Sequence, residues 1–126
     1  MKRFIILMIT ILICSIANAR WIKEGDTLIY KSGKVRLVIE NYSKMKVEGL
    51  GTNDVLMANY RFGKDYETST LVRQSGNTIY LADSKVLFDR MLNSCSLGER
   101  SEIVLLNHRF KPAKTIRLRK INVNNL

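Results

Sequence analysis

Apolar and polar side chains alternate at a spacing of two along most of the chain after residue 20. In residues 34–40, Val35, Leu37 and Ile39 fall on one side, while Arg36 falls on the other. Such alternation is typical of a β-strand that buries one face. Segments with this or a related strand pattern are residues 27–31, 34–40, 43–48, 55–62, 66–73, 78–81, 102–110 and 115–123.

Short stretches rich in Gly, Ser and Asn separate these segments. Residues 32–33 (Ser-Gly) and 74–77 (Gln-Ser-Gly-Asn) each lie between two apolar runs, which predicts two β-hairpins. Residues 111–114 join the last two predicted strands, and Pro112 suits a turn because it cannot donate to a central ladder. The apolar phase changes at residues 119–120, which predicts a bulge there.

One segment has helical spacing instead. Asp83 can cap a helix in which Val86, Leu87 and Met91 share a face, and residues 93–98 would end it. The sequence therefore predicts an all-β fold. We expect a small antiparallel sandwich or barrel of about seven or eight short strands, with one short helix near residues 84–92.

The N-terminus has the three parts of a secretory signal peptide. Lys2 and Arg3 precede the uncharged residues 4–16, and Ala-Asn-Ala at residues 17–19 forms a cleavage site. We expect cleavage after Ala19 and export to the periplasm or the medium. Residues 20–126 then form a single compact β-rich domain.

Two other roles of this segment are weaker. The uncharged run is shorter than the roughly 20 apolar residues that span a bilayer, which disfavours a permanent anchor. A lipoprotein signal would place a small residue before Cys14, whereas this chain has Ile13.

Charge is concentrated near the C-terminus. The chain has 21 Lys and Arg against 11 Asp and Glu, a formal net charge of +10. Residues 103–126 contain no acid and six bases: Arg109, Lys111, Lys114, Arg117, Arg119 and Lys120. This basic hairpin predicts a binding surface for an anionic partner. The alternative is a solvated face whose charges protect an edge strand from pairing.

His108 is the single histidine and the one weak catalytic candidate. With Leu106 and Phe110 on the same face of a strand, we expect it to be partly buried and hydrogen-bonded. The alternative is a general base in a small hydrolase. The side chains that would assist it are Tyr80, Arg109, Lys111, Glu99 and Glu102.

Cys95 and Trp21 each permit two interpretations. Cys95, the only cysteine after residue 19, is either a small buried side chain or the site of a disulfide with an assembly partner. Trp21 either packs the first strand onto the core or docks into a partner.

Neither a metal nor a cofactor is expected, because histidine and cysteine are scarce and no nucleotide-binding motif occurs. Aromatic residues are sparse in the basic hairpin, so nucleic acid is an unlikely partner. The sequence favours a non-catalytic exported binding protein, periplasmic or at the surface, that engages a protein or an anionic envelope component. The alternative is a small secreted hydrolase or toxin that acts on a polyanion such as RNA.

Overall fold

The computed structural model of the protein describes residues 19–51 and 54–121. The predicted signal peptide except Ala19, and the end of the last predicted strand at residues 122–123, lie outside the described residues. The strands in the described ranges are β1 (Arg20–Glu24), β2 (Thr27–Ser32), β3 (Val35–Glu40), β4 (Lys44–Glu48), β5 (Met57–Phe62), β6 (Tyr66–Leu71), β7 (Arg73–Ser75), β8 (Thr78–Asp83), β9 (Ser101–Leu106) and β10 (Pro112–Arg117). Helix α1 (Lys85–Ser96) lies between β8 and β9.

The strands form two antiparallel sheets. The six-stranded sheet has the order β1-β2-β3-β4-β8-β7, and the four-stranded sheet has the order β10-β9-β5-β6. The predicted all-β sandwich is confirmed, with ten strands in the described ranges instead of seven or eight. The additional strands are β1 and β7. The pattern missed β1 because its two apolar residues, Trp21 and Ile22, are adjacent and do not alternate.

The first predicted hairpin is confirmed. β2 pairs with β3 so that Ser32 lies opposite Val35, which leaves Gly33 and Lys34 as the turn. Gly33 has a φ of 62°, a left-handed conformation that a residue without Cβ adopts without steric cost. The second predicted hairpin forms only in part. The short strand β7 pairs with β8, with Ser75 opposite Thr78, whereas residues 66–71 form β6 and pair with β5 in the other sheet.

The core lies between the inward faces of the two sheets. Leu37 and Val47 of the six-stranded sheet and Tyr60 and Ile103 of the four-stranded sheet are completely buried. Helix α1 adds a buried stripe to the same cluster, formed by Leu87, Phe88, Met91 and Cys95. Alternation along each strand thus produces one continuous apolar layer.

The helix begins and ends later than predicted. Asp83 is the last residue of β8, and Ser84 caps the helix by accepting a hydrogen bond from the Leu87 N–H at 3.2 Å. The helix continues to Ser96 because Ser94 and Cys95 extend its buried face. The Ser94 hydroxyl donates to the Met91 carbonyl at 3.0 Å, so this polar residue is satisfied inside the helix. No helix in the described ranges is long and apolar enough to cross a membrane.

Candidate anion-binding surface

The basic hairpin turns earlier than predicted. β9 ends at Leu106 and β10 begins at Pro112, so the turn comprises residues 107–111 instead of 111–114. The Asn107 Oδ1 atom accepts hydrogen bonds from the N–H groups of Arg109 at 2.9 Å and Lys111 at 3.0 Å. Side-chain bonds of this kind compete with the strand ladder and favour a turn. Asn107 therefore ends β9.

Pro112 lies at the start of an edge strand, where its missing N–H is tolerated. The predicted bulge at residues 119–120 is wrong, because β10 ends at Arg117. The register shift instead falls between Pro112 and Lys114, next to the turn.

The six predicted cations separate into two groups. Arg109 and Lys111 lie in the turn and Lys114 follows at the start of β10, and we call these three the tip cations. All three are exposed and none forms an ion pair among the described residues, but the charge of Arg109 contributes to lowering the pKa of the Asp54 carboxyl. Arg117, at the end of β10, and Arg119 and Lys120, beyond it, form the base group. Lys114 and Arg117 are three residues apart on β10, roughly 10 Å along the strand, so the two groups differ in their contacts with the fold and not by a wide separation.

The base group is engaged with the fold. Arg117 Nε lies 3.9 Å from Glu102 Oε2, and Arg61 Nη1 lies 3.5 Å from Glu102 Oε1. Arg61 also contacts Glu67, whose pKa is lowered first by a hydrogen bond from Asn59 and then by the nearby guanidinium. Glu102 is therefore a structural counterion for the two arginines, Arg61 and Arg117.

Two aromatic residues hold the chain after β10. The Trp21 Nε1–H donates to the Arg119 carbonyl at 3.0 Å, and the Tyr30 hydroxyl donates to the Arg117 carbonyl at 2.9 Å. The two rings are in contact, with centroids 4.8 Å apart. Trp21 is thus placed on a paired strand, where it anchors the base of the hairpin. Burial raises the pKa of the Tyr30 phenol, although the Arg119 contact opposes the shift.

His108 does not occupy the predicted strand face. Because Asn107 ends β9, His108 lies in the turn with 63% of its side chain exposed, and Phe110 is exposed as well. The expectation of a partly buried histidine on a core-facing strand is therefore wrong.

Asp54 is the partner of His108. The His108 N–H donates to Asp54 Oδ1 at 3.2 Å, and the imidazole Nδ1 contacts the same oxygen. These hydrogen bonds lower the pKa of the Asp54 carboxyl. No pattern along the chain indicates this contact, since 54 residues separate the two positions and no local motif links them.

The other proposed assistants of His108 are placed elsewhere. Glu102 is engaged by Arg61 and Arg117, and Glu99 follows helix α1, near Gly63, beside the opposite end of β9. Tyr80 belongs to the six-stranded sheet, where the Arg73 guanidinium lies 4.5 Å above its ring. The structure therefore brings Arg109 and Lys111 near His108 along the turn, but neither glutamate.

Cys95 is buried on helix α1, with 1% of its surface exposed. Burial raises the pKa of its thiol, and hydrogen bonds with Ser101 and Ser94 partly oppose the shift. A disulfide with a second chain would require this end of the helix to open first.

In residues 19–51 and 54–121, no three His, Cys, Asp or Glu side chains are placed to hold a metal ion. Comparisons with protein-family models, curated proteins and solved structures gave no match. Fold and surface together define a small all-β sandwich with a cationic turn whose backbone is held by two hydrogen bonds to Asn107.

Proposed function

We propose that this chain is a non-catalytic exported binding protein whose basic hairpin engages an anionic envelope component or an acidic protein. The observation that carries the proposal is the state of the tip cations. Arg109, Lys111 and Lys114 are exposed and form no ion pair among the described residues, and hydrogen bonds to Asn107 hold the backbone of Arg109 and Lys111. The carboxylate that Arg109 influences is Asp54, which already contacts His108, so most of the positive charge at the turn stays available for a partner.

Two further features support this proposal. The export signal read from residues 1–19 would deliver the chain to a compartment with anionic surfaces. The base group is held by Trp21, Tyr30 and Glu102, so the hairpin is attached rigidly to the sandwich. A rigid support lowers the entropy that binding must overcome.

Retention on immobilised heparin, a soluble polyanion, tests the proposal. The tip-charge variant Arg109→Gln/Lys111→Gln/Lys114→Gln should elute at clearly lower salt than the wild-type protein, because salt screens a contact made by clustered charges. The matched control is Lys34→Gln/Lys64→Gln/Lys85→Gln, which removes three exposed lysines that lie elsewhere. Equal elution of the two variants would show that heparin retention depends on the net charge of the protein and not on the position of the cations in the turn.

A second candidate function is hydrolysis of a polyanion such as RNA, and the Asp54–His108 contact is the observation that favours it. A carboxylate on Nδ1 holds an imidazole in the orientation that a general base needs at Nε2. The exposed pair lies beside the tip cations, which suit a phosphodiester. Turnover of RNA by the wild-type protein that is lost in both His108→Ala and Asp54→Asn would establish the hydrolase. Absence of turnover in the wild-type protein would reject it.

A further inference from the structure

The four-stranded sheet carries a row of apolar side chains at the end where the basic turn lies. Met57 of β5 lies opposite Leu71 of β6 and opposite Leu106 of β9, and Pro112 of β10 lies opposite Leu106 in turn. We call these four residues the apolar row. With strands about 4.8 Å apart, it extends roughly 14 Å across the sheet.

The apolar row faces away from the core. Along β5, Ala58 and Tyr60 are both completely buried on the core face, and Met57 is adjacent to Ala58, on the opposite side of the strand. Met57 therefore belongs to the outer face, where it and Leu106 are half-buried. Leu71 is 74% exposed and Pro112 is exposed as well.

Apolar surface on this outer face is concentrated at the end that bears the turn. Two further rows of outward-facing residues follow the apolar row along the strands. The first of them is mostly polar and the second is charged, so the outer face changes from apolar to ionic with distance from the turn. The first of these rows contains Ser69, Asn59, Val104 and Thr115, and the second contains Glu67, Arg61, Glu102 and Arg117. This change from apolar to charged side chains distinguishes the end of the sheet that bears the turn from the rest of its outer face.

Phe110, two residues before Pro112 of the apolar row, is a further exposed apolar side chain at this end. Its side chain is 67% exposed although the residue has a φ of 59°, which costs a non-glycine residue conformational energy. The turn thus presents an aromatic ring to solvent between Arg109 and Lys111, both of which are exposed.

Cations outnumber carboxylates at this end. Arg73 and Lys44 line a cleft of about 390 Å³ that also includes Leu71, and they add to the three tip cations. The acids nearby are Asp54, which contacts His108, and Asp83, which lies opposite Lys44 in the strand register.

We infer that this end of the sandwich docks onto an anionic lipid bilayer. Phe110 enters the interfacial layer, the apolar row lies against it, and Arg109 and Lys111 of the turn contact anionic headgroups. Lys114, opposite core-facing Leu105 at the sheet edge, adds its charge to this end. Protruding apolar side chains surrounded by cations suit a fluid, negatively charged interface. A nucleic acid would instead require a series of stacking aromatics, and Phe110 is the only aromatic residue of the turn. The inference rests on the proposed function, of which it specifies the partner.

Cosedimentation with vesicles tests the inference. The protein, recovered after export with its mass recorded, is mixed with vesicles of phosphatidylcholine alone or of phosphatidylcholine with phosphatidylglycerol. Phe110→Asn should lower the partition coefficient on the mixed vesicles about tenfold. The matched control is Leu97→Asn, which removes an exposed leucine after helix α1 and should bind as the wild-type protein does. All variants have the same N-terminus, so a difference in vesicle binding between them is due to the substituted residue.

A second readout follows the ring itself. Phe110→Trp should show a blue shift of its added emission when mixed vesicles are supplied, beyond any shift of Trp21 in the wild-type protein. The absence of an additional shift would overturn the inference.

Heparin retention separates the inference from the proposed function. Loss of vesicle binding in Phe110→Asn with unchanged heparin elution supports bilayer docking. If Phe110→Asn binds vesicles normally while the tip-charge variant loses both vesicles and heparin, bilayer docking is wrong and the proposed function stands. If the tip-charge variant keeps both, the proposed function fails and bilayer docking fails with it.

Discussion

Phe110 combines an exposed aromatic ring with a left-handed backbone, as Tyr42 also does with less of its surface exposed. The ring gains little from burial, since 67% of the residue is exposed. Its φ of 59° costs an ordinary residue on the order of 1 kcal/mol. Asn107 holds the turn that imposes this conformation. The folded state therefore tolerates a conformational cost at this position, and under the proposed function contact with a partner would be the benefit.

Replacing Phe110 with Asn should leave the free energy of unfolding unchanged or raise it by up to about 1 kcal/mol. Asn adopts the left-handed region more readily than other non-glycine residues, and little packing is lost. Phe110→Ala is the matched variant, because it removes the ring but keeps the conformational cost. Urea unfolding should rank Asn above Ala by about 0.5–1 kcal/mol. Equal stabilities would mean that the turn carries no such cost.

At the scale of elements, the sequence predicted those features that depend on periodicity. The β2–β3 hairpin follows from alternation on both sides of Gly33. The position at which β9 ends does not follow from alternation, because the apolar pattern continues through Phe110. There the Asn107 side chain accepts a hydrogen bond from the Arg109 N–H, and the backbone leaves the strand. The Asp54–His108 contact joins distant segments, so no pattern along the chain encodes it. Periodicity predicts faces, whereas side-chain bonds to the backbone determine the ends.

Helix α1 illustrates the same point and permits a test. Ser84 accepts a hydrogen bond from the Leu87 N–H at 3.2 Å and satisfies a donor that the helix leaves unpaired. Ser84→Ala should lower the free energy of unfolding by about 1 kcal/mol. Ser75→Ala, at an exposed position of β7, should change it by only a few tenths of a kcal/mol. Equal effects in urea unfolding would contradict a capping role.

For the whole molecule, charge and apolar surface are distributed unevenly over one sandwich. At the base of the hairpin, Glu102 and Glu67 offset the charges of Arg61 and Arg117, whereas the tip cations form no ion pair among the described residues. A net charge counted over the chain therefore understates how strongly one end would attract an anionic surface. Electrostatic steering depends on such local fields.

The core itself contains phenols that respond to pH. Tyr60 is fully buried between the sheets, where its hydroxyl and that of Thr70 lie 2.9 Å apart and the Ala82 N–H donates to it at 3.3 Å. Burial raises the pKa of the Tyr60 phenol above its ordinary value of 10.0. The folded state therefore holds the phenol proton more tightly than the unfolded state does.

Because the folded pKa is the higher one, the stability due to this proton is complete below pH 10.0 and is lost as the pH rises through the folded value. In that window, the free energy of unfolding should fall by about 1.4 kcal/mol per pH unit for each such phenol. Urea midpoints measured from about pH 8 to about pH 11 test this.

Tyr60→Phe should be less stable at neutral pH, because it leaves the Ala82 N–H without its acceptor, and should lose stability less steeply above pH 10.0. Tyr42→Phe, at an exposed position, should retain the steeper wild-type decline. If Tyr60→Phe declined as steeply as the wild-type protein, the alkaline loss would have to originate at another buried group, with Tyr30 and Cys95 the next variants to measure.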